Sequence, residues 1–414
     1  TVTSSLTFTS ANWDTAQTVT VTGVDDDLID GTITSTITAS VVDAASDNNF
    51  DAVADQTVSV TTTDDDVAGF TIVESSGSTS VDESGSTDTF TVVLDAQPGS
   101  DVVLSVTSGD TGEATVTSSL TFTSANWDTA QTVTVTGADD DLVDGTITST
   151  ITVSVNDGSS DNNFDSVSDQ TVSVATTDDD VAGFTIAETD SSTSVSESGT
   201  TDTFTIVLNA QPSSDVALSV TSGDAGESIS NSPLTFTSAN WDTAQTVTVT
   251  GVDDDIIDGS VSSTLTIAIV DAISDDSFDA VADQTVSVTT TDDDVAGFTI
   301  VESSGSTSVD ESGTTDTFTV VLDAEPASDV VLTISSSDTG EATVTSSLTF
   351  TSANWDTAQT VTVTGVDDDV IDGTITSTVT VSVNDGSSDN NFDAVSDQTV
   401  SVATTDDDVA GFTI

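Results

Sequence analysis

The chain has 414 residues, 73 of them Asp or Glu and none Lys, Arg or His, so its formal charge is −73. Side-chain salt bridges are therefore excluded, as are nucleic acid and anionic membrane surfaces as direct partners, because nothing here can neutralise a phosphate. With no Cys and no Met either, the side chains offer a metal only hard oxygen ligands.

Low hydrophobicity with high net charge usually signals disorder. Here the apolar residues are Val, Ile, Leu and Phe in alternation, with only 4 Pro, so a fold is expected once cations remove the self-repulsion. Without Cys, stability must come from the core and from ions, and the redox compartment is not legible. No stretch approaches the roughly 20 apolar residues that span a bilayer, and none reads as a signal peptide.

The segment Thr-Asp-Asp-Asp-Val-Ala-Gly-Phe-Thr-Ile recurs at 63–72, 177–186, 291–300 and 405–414, and Trp13, Trp127, Trp241 and Trp355 keep the same step of 114 residues. That period is too long for a solenoid unit and fits an independent domain. Whole repeats are expected at 68–181, 182–295 and 296–409. Residues 1–67 read as the back part of an earlier repeat and 410–414 as the first strand of a later one, so the sequence reads as an excerpt of a longer array.

Along 68–181 the pattern has period two. Phe70 and Ile72 open it, and a Ser/Gly-rich loop carrying Glu83 follows. Phe90, Val92 and Leu94 alternate with Thr89, Thr91 and Val93. A turn at 95–100 holds Pro98, and Pro212 and Pro326 hold the same place in their repeats. Val102, Leu104 and Val106 form the next inward row, then come a turn with Asp110, a short strand at 114–117, and Leu120 with Phe122. Trp127 is expected to tuck its loop against the core. Val133 and Val135 lead to Gly137 and an acidic loop. Ile147, Ile151, Val153 and Val155 mark a long strand, and Val172 and Val174 the last. Gly-Glu-Ala-Thr-Val-Thr-Ser-Ser becomes Gly-Glu-Ser-Ile-Ser-Asn-Ser-Pro in the 182–295 repeat, a tolerance expected of an edge strand. Seven or eight short strands with frequent turns predict an all-β fold: tandem immunoglobulin-like antiparallel β-sandwiches, head to tail. Outward Thr suits wet sheet faces.

Following the strands up and down gathers acids at one end of each sandwich: Glu83, Asp110, Asp139, Asp140, Asp141, Asp144, Asp178, Asp179 and Asp180. The 182–295 repeat supplies Glu197, Asp224, Asp253, Asp254, Asp255, Asp258, Asp292, Asp293 and Asp294. The 296–409 repeat supplies Glu311, Asp338, Asp367, Asp368, Asp369, Asp372, Asp406, Asp407 and Asp408. The first segment contributes Asp25, Asp26, Asp27, Asp30, Asp64, Asp65 and Asp66. So many carboxylates are costly together unless a cation sits on them. Oxygen-only ligands on flexible loops favour calcium over zinc, iron, copper or magnesium, with several ions per repeat. The opposite end carries Asp47 and Asp51, then Asp161, Asn163 and Asp165, then Asp275 and Asp279, then Asp389 and Asp393. These are expected either to complete a bridging ion with the triplet of the preceding repeat or to form Asx turns that satisfy their own backbone.

Leu120-Thr-Phe-Thr, Gln131-Thr-Val-Thr-Val-Thr-Gly, Asp139-Asp-Asp-Leu-Val-Asp144-Gly145, Thr177-Asp-Asp-Asp and Val81-Asp-Glu83-Ser-Gly together resemble the Calx-β domain. The resemblance implies calcium-ligand roles for Glu83, Asp140, Asp141, Asp144, Asp178, Asp179 and Asp180. Where that family often has a further acid three positions after Asp144, Ile147 stands here, so one ion is expected to be lost or held differently. The Leu-Thr-Phe-Thr-Ser-Ala-Asn-Trp wording is similar to tandem units of large bacterial RTX-type surface adhesins. Asp82 becomes Ser196 and returns as Asp310, which argues against a ligand role at that position.

The expected function is structural: a calcium-rigidified rod of a secreted, extracellular adhesin or filament that spaces or links cell-surface elements. Its partners are calcium ions and neighbouring repeats, with self-assembly into fibres compatible and direct membrane insertion not expected. A calcium-sensing module and a ligand-binding adhesin surface are the alternatives. An enzyme is not expected, because no His, Lys, Arg, Cys or Tyr is available for catalysis.

Overall fold

A computed structural model describes residues 1–412 except Ser4. The chain divides into two compact units, Thr1–Val181 and Ala182–Ile414.

In the first unit, β1 (Ile33–Ala39) and β2 (Gln56–Thr62) pair antiparallel, from Ile33 opposite Thr62 to Ala39 opposite Gln56. Nine strands follow: β3 (Phe70–Glu74), β4 (Thr79–Asp82), β5 (Thr87–Leu94), β6 (Val102–Ser108), β7 (Ala114–Val116), β8 (Ser119–Phe122), β9 (Gln131–Gly137), β10 (Ile147–Val155) and β11 (Gln170–Thr177). They form a four-stranded sheet in the order β3-β5-β9-β7 and a five-stranded sheet in the order β4-β11-β10-β6-β8. The first order corresponds to the ABED sheet of an immunoglobulin-like sandwich, and β11-β10-β6 to its GFC sheet.

Alternation explains the layering. Phe90, Val92, Leu104, Phe122, Val133 and Ile151 are buried between the sheets, each such side chain contributing about 1.5–3 kcal/mol by leaving water. Trp127 is half-buried against this core, and its carbonyl accepts from the Leu94 amide at 3.2 Å. β7 and β8 are the edges of the two sheets, as the variability of that segment predicted.

The strand count exceeds the expected seven or eight because Thr79–Asp82, read above as loop, is a strand. It pairs parallel with β11, Thr79 opposite Val174 and Asp82 opposite Thr177. Only Val81 of its four residues is a buried hydrophobe, so the ladder from β11 supplies what hydrophobic patterning lacks. This is the one parallel pairing in an otherwise antiparallel sandwich.

The second unit repeats the arrangement twice. β12 (Phe184–Glu188), β13 (Thr193–Ser196), β14 (Thr201–Leu208), β15 (Val216–Ser222), β16 (Ser228–Ser230), β17 (Leu234–Phe236), β18 (Gln245–Gly251), β19 (Val261–Ile269) and β20 (Gln284–Thr291) form sheets β12-β14-β18-β16 and β13-β20-β19-β15-β17. β21 (Phe298–Glu302), β22 (Thr307–Asp310), β23 (Thr315–Leu322), β24 (Val330–Ser336), β25 (Ala342–Val344), β26 (Ser347–Phe350), β27 (Gln359–Gly365), β28 (Ile375–Val383) and β29 (Gln398–Thr405) form β21-β23-β27-β25 and β22-β29-β28-β24-β26. The first segment differs. Phe8, Trp13 and Phe50 are exposed, whereas Phe122 and Phe164, the counterparts of Phe8 and Phe50, are fully buried. No counterparts of β3 to β6 cover residues 1–67 among the described residues. Of the first strand expected at 410–414, Ala410, Gly411 and Phe412 are not in a strand, while Thr413 and Ile414 lie outside the described residues.

One difference between repeats is a natural experiment. Ser228 and Ser263 share a buried hydroxyl–hydroxyl hydrogen bond of 3.1 Å. In the other two sandwiches Ala114 and Ala342 replace Ser228, and the hydroxyls of Ser149 and Ser377 are buried without a partner. Ala114→Ser and Ala342→Ser should each stabilise the fold by about 0.5–1.5 kcal/mol, the usual net worth of one hydrogen bond. Denaturant melts of the single variants check this.

Candidate metal centre

The site begins with the strand that hydrophobic patterning does not reveal. β4 hands Glu83 to the end of β11, where the Glu83 amide donates to the Thr177 carbonyl at 3.1 Å. The triplet Asp178, Asp179, Asp180 leaves β11 at the same point. β9 comes so close that a Cβ on Gly137 would lie 2.0 Å from the Asp82 carbonyl oxygen. A Cβ on Gly251 or Gly365 would likewise lie 2.0 or 2.2 Å from the carbonyl oxygen of Ser196 or Asp310.

Asp178 then shapes the acidic loop. Its Oδ2 accepts from the amides of Asp144 at 3.0 Å and Gly145 at 2.8 Å, and its Oδ1 from Asp180 at 2.7 Å. Gly145 takes a φ of 76° to present that amide. Asp406 does the same for Asp372, Gly373 and Asp408, and Asp64 for Asp30, Gly31 and Asp66. Asp292 takes the amides of Gly259 and Asp294. Within the triplet, the first aspartate is a turn-former as well as a candidate ligand.

Two sets of carboxylate oxygens converge, each within 4.8 Å: Glu83 with Asp178 and Asp180, and Glu83 with Glu113 and Asp144. The later sandwiches repeat them as Glu197 with Asp292 and Asp294, Glu197 with Glu227 and Asp258, and Glu311 with Glu341 and Asp372. Glu83, Glu197 and Glu311 are only 1% exposed. Oxygens of Glu83, Glu113, Asp144 and Asp180 are buried with no hydrogen-bond donor, as are both oxygens of Glu197 and of Glu311. A buried, unpaired carboxylate is among the costliest groups in a protein, and this chain has no cationic side chain to relieve it. The donor set fits a hard cation.

Burial, and then the charges of Asp178 and Glu113, raise the Glu83 carboxyl to about 7. Burial followed by Asp292 and Asp254 raises Glu197 to about 7, and burial followed by Asp406 and Asp368 raises Glu311 likewise. Burial also pushes up Glu113, Asp144 and Asp180. Backbone amides hold Asp64 and Asp406 below the usual range.

The expected residues sort into layers. Asp110 and Asp140 lie near enough to load Glu113 and Asp144 with charge, while each caps its own turn through the Gly112 and Leu142 amides. Asp224, Asp338, Asp254 and Asp368 repeat this role. Asp139, Asp141 and Asp179 surround Asp180, as Asp253, Asp255 and Asp293 surround Asp294, and Asp367, Asp369 and Asp407 surround Asp408. Asp25, Asp27 and Asp65 surround Asp66, while Asp26 caps the Leu28 amide. Asp82 turns away from the cluster and accepts from Ser84 and Thr177.

Glu113, Glu227 and Glu341 were not among the expected ligands. Their signal was present: the Glu persists where its surroundings change from Ala-Thr-Val to Ser-Ile-Ser. The Glu113 carbonyl accepts from the Ala138 amide at 2.8 Å, which ties this short edge segment to the acidic loop.

At the opposite end, Asp161 gives one oxygen to the Asn163 amide and the other to the Ser100 amide. Asp275 serves Ser277, Ser213 and Ser214, and Asp389 serves Asn391 and Ser328. Asp47 accepts from Asn49. Asp165, Asp279 and Asp393 close the one-turn 3-10 helices that follow, and Asp51 is exposed. Asp161, Asp275 and Asp389 thus tie the loop they cap to the proline turn of the same sandwich. Contact with the preceding acidic loop comes from Asn163, whose side-chain amide donates to the Ile29 carbonyl at 3.2 Å, and from Gln97, whose amide donates to the Asp27 carbonyl at 2.7 Å. In the second unit, Asn391 reaches the Ile257 carbonyl at 2.7 Å and the Glu325 amide reaches the Asp255 carbonyl at 2.6 Å. Ile29 and Ile257 pack on the core of the sandwich that follows each.

No protein-family model matches the chain, and no curated protein does. Among solved structures it is similar to the titin I-band fragment I67–I69, at 10% identity and a TM-score of 0.26, over 82% of this chain and 96% of that one. It is similar to surface layer protein SbsC, domains 4–9, at 19% identity and 0.23, over 84% and 52%. It is also similar to CBD12 from CALX1.2, at 16% identity and 0.21, over 48% and 79%. None reaches a TM-score of 0.5, so the sandwich assignment rests on the strand order and register above.

Gly251→Ala should force β13 and β18 apart, cost about 1–3 kcal/mol as an overpacked contact does, and abolish cation binding in that repeat alone. Calorimetric cation titration of the variant checks it. A second outcome concerns pH. The three glutamates ionise near 4.5 when unfolded but near 7 in the cation-free fold. Their contribution to cation-free stability is therefore full below about pH 4.5 and is lost as pH rises through about 7. Melts in chelator across that window, compared with the E83Q/E197Q/E311Q chain, should show the difference.

Proposed function

We propose that the chain is a calcium-hardened spacer, a series of sandwiches whose acidic ends each hold several calcium ions. The carrying observation is the set of buried carboxylate oxygens without donors around Glu83, Glu197 and Glu311, repeated three times in a chain that owns no cationic side chain. Calcium is favoured over magnesium because the oxygens are many and lie on separate loops, whereas magnesium demands a tight octahedron and keeps its waters. Glu83, Glu113, Asp144, Asp178 and Asp180 would hold the ions, which would supply neutralising charge and fix the loop that carries Asp140 and Asp144.

The same loop touches the next sandwich within each unit through Asp27 and Ile29, or Asp255 and Ile257. Ordering the loop with calcium would therefore order the joint beside it. Extracellular modules bind calcium at about 10⁻⁴–10⁻³ M, which suits a secreted, surface-exposed spacer of the adhesin or filament kind.

Removing calcium with a chelator should expand the chain and open its joints to protease, and restoring millimolar calcium should reverse both. Small-angle scattering and limited proteolysis follow the change. Profiles indifferent to the chelator would overturn the proposal, and half-saturation at micromolar calcium would replace the spacer with a sensor.

A further inference from the structure

Glu83 stands one residue beyond a four-residue edge strand that has a ladder on one side only. Asp178 and Glu113 lie beside its buried carboxyl, so an ionised Glu83 without a cation bears a repulsion that favours release of β4 from β11. What opposes that release lies on the other side of β4. The Ser80 amide, outside the ladder, donates to Oδ2 of Asp88 at 3.0 Å, and Oδ1 of Asp88 accepts from its own neighbour Thr89 at 2.7 Å and from the Ser75 hydroxyl at 2.9 Å. Asp88 belongs to β5 and hence to the opposite sheet. One carboxylate thus ties the free edge of β4 across the sandwich.

The tie recurs in every whole repeat. Asp202 takes the Ser194 amide at 2.8 Å and the Thr203 amide at 2.7 Å, and Asp316 takes those of Ser308 at 2.9 Å and Thr317 at 2.7 Å. A second tie follows two residues on: the amides of Asp82, Ser196 and Asp310 donate to the hydroxyls of Ser86, Thr200 and Thr314. The side chain at the second position varies from Asp to Ser while both ties remain. Asp88 and Asp316 are held ionised by these amides, below the usual carboxylate range, and so act as acceptors where their neighbours across the strand are pushed toward protonation.

From this we infer that Asp88, Asp202 and Asp316 are positioning residues of the cation site, which hold Glu83, Glu197 and Glu311 against mutual repulsion before the ion arrives. The inference rests on the cation reading of that site and adds to it three acids that touch no ion. Their loss lets β4 fray, so Glu83 leaves the coordination set and water replaces it.

The test uses the full chain in chelator-stripped buffer, with Ca²⁺ titrated calorimetrically and Tb³⁺ luminescence lifetimes in H₂O and D₂O counting ion-bound waters. Chains carrying D88A/D202A/D316A, D88N/D202N/D316N and E83Q/E197Q/E311Q are compared with the parent. The alanine chain should bind Ca²⁺ about tenfold more weakly or worse, as loss of an outer partner typically does. It should also gain about one ion-bound water per repeat, the place vacated by one carboxylate oxygen. The asparagine chain keeps one acceptor and should move the same way by less. It carries the test if the alanine chain fails to fold. A lost surface charge alone would weaken binding without changing hydration, so the water count separates positioning from long-range electrostatics. Parental affinity and hydration in a folded asparagine chain, with binding lost in the E83Q/E197Q/E311Q chain, would overturn the positioning role. Parental binding in the E83Q/E197Q/E311Q chain would instead overturn the cation site itself.

Discussion

Repulsion among carboxylates that the fold forces together is the constraint on which the rest depends. Each sandwich drives several acidic segments to one end and buries the innermost oxygens, in a chain that can make no internal side-chain ion pair. Backbone amides can absorb part of this. Asp178, Asp140 and Asp110 each accept one or more. Glu83, Glu113 and Asp180 keep buried oxygens that no donor reaches. Apart from a few buried hydroxyls such as those of Ser149 and Ser377, the buried side-chain oxygens left without a donor among the described residues are carboxylates of these clusters.

The 73 acids of this chain therefore do three different jobs. Some cap turns, as Asp161 does at the start of the 3-10 helix Asn162–Phe164. Some brace strands, as Asp88 does. A minority converge. Composition treats them alike, and so does any count of net charge. What separates them is which backbone amides lie within reach, and that is a property of the folded loops.

This is why legibility was uneven. The period of 114, the alternation of Phe90, Val92 and Leu94, and the Asp triplets carried the two-sheet sandwich, because hydrophobic spacing is written locally. Thr79–Asp82 carries no such spacing and exists as a strand only by pairing with β11. Glu113 sits in a variable edge segment of which only Gly112, Glu113 and Ser118 keep their identity in the 182–295 repeat, so the change around it masks its role. Asp161 reads in sequence as either a ligand or a turn-former and Asp178 as a ligand; the amides that each accepts, which only the folded loops bring near, make turn-formers of both.

The parallel pairing of β4 with β11 also dictates an order of events. It is reinforced by the Thr177 hydroxyl donating to the Val81 carbonyl, 96 positions away, so a growing chain cannot assemble the pocket until the final strand of that repeat has emerged. Loop closure must precede any reward from the ion. On the proposed cation reading, capture of the ion would be the closing act of each repeat's maturation, and a repeat cut short of its last strand would gain nothing from it.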